Sequence, residues 1–253
     1  MGLSMGTAEL WVERWERQQQ RYAIDREERF TVIADVVERV TEDQDRPLIV
    51  DLGCGPGSLA ARLAGRLPQA EVVAVDMDPL LLELARTHHA SAARYVDTVI
   101  GEDGWTEALA LDRPLDAAVS TTALHYLPER TLRRTYAQLA ALLRPGGTLI
   151  NADHLPQNDS APAALAEHVG HRRAVRQQVF AHEDWESWWT AVADEPELAE
   201  CLAERRRRGL MYGKGSDNVL TVSDHTELLY RAGFEHVAPV WQFGDSCVLV
   251  AVR

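Results

Sequence analysis

The stretch Ile49-Val-Asp-Leu-Gly-Cys-Gly-Pro-Gly57 holds the residues whose types and spacing best suit ligand chemistry. An apolar run ends at Asp51 and feeds a turn in which Gly53, Gly55 and Gly57 alternate, before a helical pattern opens. Glycines at a strand-to-helix turn let a ligand approach bare backbone N–H groups. By itself a GxGxG also describes a tight turn that binds nothing. Here, however, a second apolar run, EVVAVD, ends at Asp76, about 20 residues further on, where ribose recognition places a carboxylate. A carboxylate at that point can accept hydrogen bonds from both ribose hydroxyls. The pair of features predicts a nucleoside-bearing ligand.

The elements that must position these residues alternate. PLIVDLG reads as a strand, SLAARLAGRL as a helix and EVVAVD as a second strand. Asp78-Pro79 opens the next helix, with Asp as the cap and Pro in the first turn. ARYVDTVI, LDAAVST and TLINAD supply three more strands, with a helix carrying Leu132, Tyr136 and Leu139 before the turn RPGG. Asp224-x-x-Glu227 has a capping-box spacing ahead of HTELLYRAGF, and HVAPVWQF and CVLVAV around GDS read as an antiparallel hairpin. Pro239 cannot donate a ladder hydrogen bond, so the first of these two strands should form the sheet edge. Alternating strands and helices predict an α/β, doubly wound, mainly parallel seven-stranded sheet. One domain over 1–253 is expected: N-terminal helices over 1–45, a core over 46–155, a helical insertion over 156–215, and a final helix and hairpin over 216–253.

At VDLGCGPG (50–57), VVAVDMDP (72–79), DAAVSTTALHYLP (116–128) and LLRPGGTLINAD (142–153), the chain resembles the class I S-adenosylmethionine-dependent methyltransferases. The closing hairpin suits that family's reversed final strand. The resemblance implies that Gly53, Gly55 and Gly57 surround the methionine part of S-adenosylmethionine, that Asp51 orients its amino group, and that Met77 packs on the adenine. For the adenine edge it points to Asp103, with Glu102 close behind. Another register puts Val99 there and leaves recognition to backbone groups and Trp105. Ser120 and His125 follow the fourth strand, where the family faces both cofactor and acceptor. His125 is the first candidate base or orienting group and His154 the second; a neutral imidazole titrating near neutrality can take a proton from a hydroxyl or amine. The alternative is that His125 only packs against the cofactor.

Trp185, Trp188 and Trp189, with Tyr212 downstream, fit an aromatic wall over the acceptor or the insertion's own small core. The N-terminal helix is expected to close the cofactor pocket, with Tyr22 or Arg26 touching the cofactor carboxylate. Arg205 to Arg208 read as a solvated helix face.

A formal charge of −13 disfavours nucleic acid as the main partner, since phosphate binding needs a basic face. No NPPY- or DPPF-type tetrapeptide follows the fourth strand, which weakens assignment as an amino-directed nucleic-acid base methylase. Three scattered cysteines without CxxC spacing predict a reducing compartment and no metal site. Neither a signal peptide nor an apolar run long enough for a membrane span is visible, so a cytoplasmic monomer or homodimer is expected. A small-molecule acceptor leads. The alternatives are a protein or tRNA methyltransferase, a non-methylating enzyme such as a cyclase on the same fold, and a purely structural protein.

Overall fold

The computed structural model describes residues 2–210 and 218–253. Two helices, α1 (Met5–Gln19) and α2 (Arg26–Val40), precede the alternating part. That part runs β1 (Leu48–Leu52), α3 (Ser58–Arg66), β2 (Glu71–Asp76), α4 (Pro79–His88), β3 (Arg94–Asp97), the short α5 (Trp105–Ala108), β4 (Leu115–Thr121), α6 (Glu129–Leu142) and β5 (Leu143–His154). Helices α7 (Ser160–Arg176), α8 (Trp185–Val192) and α9 (Ala199–Arg207) follow, then α10 (Val222–Ala232), β6 (His236–Phe243) and β7 (Ser246–Val252). No described helix is long and apolar enough to cross a membrane.

The seven strands form one sheet in the order β3-β2-β1-β4-β5-β7-β6. All pairs are parallel except those of β7, which runs antiparallel to both β5 and β6. The fold class is as expected, with β7 as the reversed final strand. The direction of winding reverses between β1 and β4, and such a switch point opens a ligand crevice at the strands' carboxyl ends. β6 is the sheet edge, as Pro239 required, and its register with β7 shifts between Pro239 and Trp241.

Strand alternation divides the core. Leu48, Val50 and Leu52 point towards α6 and α10, packing with Tyr136, Leu139, Leu228 and Trp105. Ile49 points the other way, against Phe30, Ile33 and Val37 of α2 and Leu59 and Leu63 of α3. A third cluster joins Trp11 and Trp15 of α1, Leu80, Leu81 and Leu84 of α4, Trp188, Trp189 and Val192 of α8, and Leu202 of α9.

Two local expectations are corrected. The third strand ends at Asp97 rather than running on through Ile100. The cap of α10 is Thr221, three residues earlier than Asp224. Its hydroxyl accepts from the Asp224 N–H, and the Asp224 carboxylate accepts from the Thr221 N–H at 2.8 Å. The reciprocal bonds satisfy two orphan donors, so the box is Thr221/Asp224.

Candidate active site

The glycine turn is held by β2. The N–H groups of Gly53 and Cys54 both donate to the Val75 carbonyl, and the Gly55 N–H donates to Asp76 Oδ2 at 2.8 Å. Asp76 Oδ1 accepts from the Asp78 N–H at 2.9 Å. Asp76 therefore clamps the turn while each oxygen keeps a further lone pair for a ribose hydroxyl. Gly53 and Gly55 adopt left-handed backbone, with φ of +73° and +53°. A Cβ on Gly53 would stand 2.3 Å from that of Ala123, so only glycine lets the loops after β1 and β4 meet.

Asp51 is fully buried, and neither carboxylate oxygen completes a hydrogen bond. Burial, then the charge of Asp76, pushes its carboxyl up to about 7; the Ala60 N–H and Arg26 oppose this only in part. Burial likewise raises Asp76 to about 6. Two crowded carboxylates, one of them unpaired, fit a ligand that brings an ammonium group and a diol.

His125 follows β4 through Thr122, whose φ of +50° is strained for a β-branched residue. The His125 ring faces β5, where Nδ1 lies 2.9 Å and 3.0 Å from the two oxygens of Asp153. Asp153 is buried, which alone would raise its pKa. The hydrogen bond and charge of His125, the His154 N–H and Arg29 outweigh that and hold it below the usual carboxylate range. A buried carboxylate on Nδ1 fixes a histidine's ring orientation and tautomer.

His154 is differently placed. Its Nδ1 pairs with Asp245 at 3.2 Å, and its Nε2 lies 2.7 Å from the Tyr22 carbonyl and 3.1 Å from a nitrogen of the buried Arg29. It joins the α1–α2 connection to the end of β5, whereas His125 stands in the segment after β4 and pairs with Asp153 of β5. His225 is a core residue, 2.8 Å from the Tyr136 hydroxyl, and burial lowers its pKa to about 4.

The tryptophans build a core. Trp188 packs edge-on against Trp11, Trp15 and Trp189, at ring separations of 5.6, 5.1 and 4.9 Å. Trp188 and Trp189 are buried, whereas Trp185, against Trp15, is half-exposed. Trp15 in turn lies 3.7 Å from the position of a Cβ on Gly55, so this core abuts the glycine turn. Tyr212 lies outside the described residues.

The arginine run is not simply a solvated face. Arg205 donates to Asp78 at 2.6 Å, buried, and stacks 3.9 Å over Trp189. Arg208 grips both oxygens of Asp97 at 2.7 and 2.9 Å and donates to the Met77 carbonyl at 3.2 Å. Residues three apart on a helix share a face, and this one docks α9 on the ends of β2 and β3. Arg206 and Arg207 are exposed, as expected for the rest of the run.

Several expected contacts are committed elsewhere. Arg26 is buried and paired with Glu16. The Tyr22 hydroxyl accepts from the Trp185 N–H at 2.9 Å. Ser120 donates to the Leu52 carbonyl, and the Trp105 indole donates to Gln138 from within the core. Asp103 is fully exposed and 3.5 Å from Arg134, and Glu102 is also exposed. Asp97, register partner of Asp76, is the carboxylate that ends β3. Sequence reasoning missed Asp97, Asp153 and Arg29. Asp153 carried a signal in the i, i+2 repeat of Asn151 and Asp153, two polar side chains on one face of a strand read as buried.

A surface cleft of about 520 Å³ lies beside α1, lined by Glu13, Glu16, Arg62, His88, His89 and His182 among others. None of the residues singled out from the sequence lines it.

Residues 49–147 match the family model described as a methyltransferase domain. A trans-aconitate 2-methyltransferase of Methylobacterium radiotolerans is 35% identical over 136 residues, covering 54% of this chain and 48% of that protein. Another of the same name, from Deinococcus radiodurans, is 35% identical over 185 residues, covering 73% of this chain and 57% of that protein. The chain spans about half the length of the curated relatives it matches. The solved magnesium protoporphyrin IX methyltransferase of Synechocystis, with bound SAH, superposes with a TM-score of 0.57 at 16% identity over 96% of this chain and 94% of that one. That likeness is one of fold.

Proposed function

We propose, from the premise that the chain belongs to the class I S-adenosylmethionine-dependent methyltransferases, that it methylates a small molecule at a nucleophile that must lose a proton. The observation that carries the cofactor half is Asp51, a buried carboxylate with two unsatisfied oxygens beside the glycine turn. An ammonium group satisfies it, and the lone pairs left on Asp76 suit a ribose diol. When bound, S-adenosylmethionine supplies a methyl already activated on a sulfonium, so the chain has to align the nucleophile and exclude water.

The His125–Asp153 pair carries the acceptor half. Asp153 fixes the imidazole so that Nε2 can take the acceptor's proton as the methyl is transferred. A hydroxyl gains most from such a base. Fixed charge favours a small acceptor over nucleic acid.

A carboxylic-acid acceptor is the second reading, favoured by the relatives named trans-aconitate 2-methyltransferase. A carboxylate is already deprotonated at neutral pH, and His125 would then orient it rather than act as a base. The test is transfer of radiolabelled methyl to a panel of phenols, alcohols and di- and tricarboxylic acids, with turnover followed across pH. A hydroxyl acceptor should show turnover falling with acid in the wild type and a loss of that limb in His125→Asn. Absence of both S-adenosylmethionine binding and transfer would sink the proposal.

A further inference from the structure

His125 sits in the single 3₁₀ turn Leu124–Tyr126. The turn closes on itself through the Tyr126 N–H to the Ala123 carbonyl at 3.2 Å and the Leu127 N–H to the Leu124 carbonyl at 3.1 Å. So short a turn leaves its last carbonyls in need of outside donors. One residue far along the chain supplies them. The Asn218 backbone N–H donates to the His125 carbonyl at 2.7 Å, and Asn218 Nδ2 donates to the carbonyls of Leu124 at 3.1 Å and Leu127 at 2.8 Å. The backbone hydrogen and both amide hydrogens of Asn218 are thereby committed to the segment that carries the histidine.

The residues that follow Asn218 are themselves anchored. Leu220 and Val222 pack against the core cluster that holds Leu228 and Leu229, and the Val222 N–H donates to the Pro156 carbonyl just after β5. Thr221 caps α10. Asn218 Oδ1 accepts from the Leu220 N–H at 3.5 Å, which leaves the NH2 group on the side of the turn. Leu124 is buried in the same core and fixes where the turn sits. The three carbonyl bonds fix how the turn is rotated, and with it the direction in which His125 leaves the backbone.

We propose that Asn218 is the positioning residue of His125, holding the carbonyls of Leu124, His125 and Leu127 so that the imidazole stays on Asp153. The inference rests on the reading above, in which His125 acts on the acceptor. The chemistry of the amide suits the role. Aspartate has the same shape but no hydrogens to give, so it would set a carboxylate against two carbonyl oxygens. Alanine would leave both carbonyls without those donors. Precision matters here, because misplacing a reacting group by about 1 Å can cost about 100-fold in rate.

The test uses the full chain and two variants, Asn218→Asp and Asn218→Ala, the second serving should the first fail to fold. With isotopically labelled histidine, the NMR signals of the His125 ring are those missing from His125→Asn. In the wild type at mildly alkaline pH they should report one tautomer, with the proton on Nδ1 facing Asp153. Either Asn218 variant should show a mixture of tautomers. Transfer of labelled methyl from S-adenosylmethionine to the best phenol or alcohol of the panel should fall about tenfold or more in kcat. S-adenosylmethionine affinity, by calorimetry, should stay within about twofold of wild type. Added to His125→Asn, the Asn218 change should cause no further loss, because the residue it acts through is gone. Unchanged His125 signals in both variants, a further loss in that background, or cofactor affinity falling as far as turnover would overturn the assignment. Full turnover by His125→Asn would instead overturn the role of His125 in transfer, and the positioning role with it, even where the Asn218 variants disturb the ring signals.

Discussion

The two oxygens of Asp153 lie 3.0 and 2.9 Å from Nδ1 of His125, so one buried carboxylate spans the join between the β4 loop and the end of β5. Thr122, three residues before the histidine, also ties the two elements together, its N–H donating to the Ala152 carbonyl of β5 at 2.9 Å. A pair of this kind is useful in proton transfer and also in fixing a ring in one orientation. Mutation separates the two roles.

His125→Asn should lower turnover on a hydroxyl acceptor by about 100-fold or more, with S-adenosylmethionine affinity nearly constant. Asp153→Asn should retain the packing but leave the imidazole in the wrong tautomer, so its loss of turnover should approach that of His125→Asn. Steady-state kinetics and calorimetry on the same preparations check both. Full turnover in the Asp153 variant would remove it from the machinery.

The carboxylates beneath the glycine turn predict a pH dependence. Both are raised in the folded protein, Asp51 to about 7 and Asp76 to about 6, against a reference of 3.8. Their contribution to the stability of the cofactor-free protein is therefore fully present below about pH 4 and is lost as pH rises through 6 to 7. Cofactor affinity should run the other way, because an ammonium ligand prefers Asp51 ionised. S-adenosylmethionine binding should strengthen between about pH 5.5 and 7.5, with proton release visible as a buffer-dependent heat. Asp51→Asn should flatten that profile and raise the unfolding temperature of the cofactor-free protein at pH 8.

Gly53 and Gly55 should respond differently to alanine. Both have positive φ, which costs a residue with a Cβ roughly 1–2 kcal/mol. At Gly55 the added methyl meets Trp15 at an ordinary 3.7 Å, whereas at Gly53 it collides with Ala123. Denaturant titration should place Gly53→Ala well below Gly55→Ala in stability. Comparable values would mean that the loops after β1 and β4 are not in the contact described.

Trp188→Ala should act on folding before it acts on acceptor binding. The side chain is enclosed by Trp11, Trp15 and Trp189, and emptying such a site costs about 3–5 kcal/mol. A variant of wild-type stability with only a raised Michaelis constant for the acceptor would restore the aromatic-wall reading.

How far the sequence carried these conclusions depended on the range of the interaction. Gly53, Gly55, Gly57, Asp51 and Asp76 were legible because one strand, one turn and the next strand place them, and local patterning dictates all three. Pro239 was legible for the same reason, since a missing N–H constrains the ladder whatever the rest of the fold does. His125 was found, but Asp153 was not, because β5 becomes its neighbour only through the sheet order. The arginine run failed in the same way: Arg205 and Arg208 differ from Arg206 and Arg207 only in what α9 docks against. Trp105 and Ser120 sit where the motif puts them, yet tertiary partners, Gln138 and the Leu52 carbonyl, have claimed their polar atoms.

The outer strands of the sheet limit how two copies of this chain could meet. β3 is four residues long, with a charged residue at each end, and β6 carries Pro239 and a register slip. Short, charged or proline-interrupted borders offer a poor template for an added strand. Any homodimer should therefore bury helical surface instead of continuing the sheet. Such an interface would leave backbone amide exchange along β3 and β6 unchanged on dilution, while protecting helical side chains.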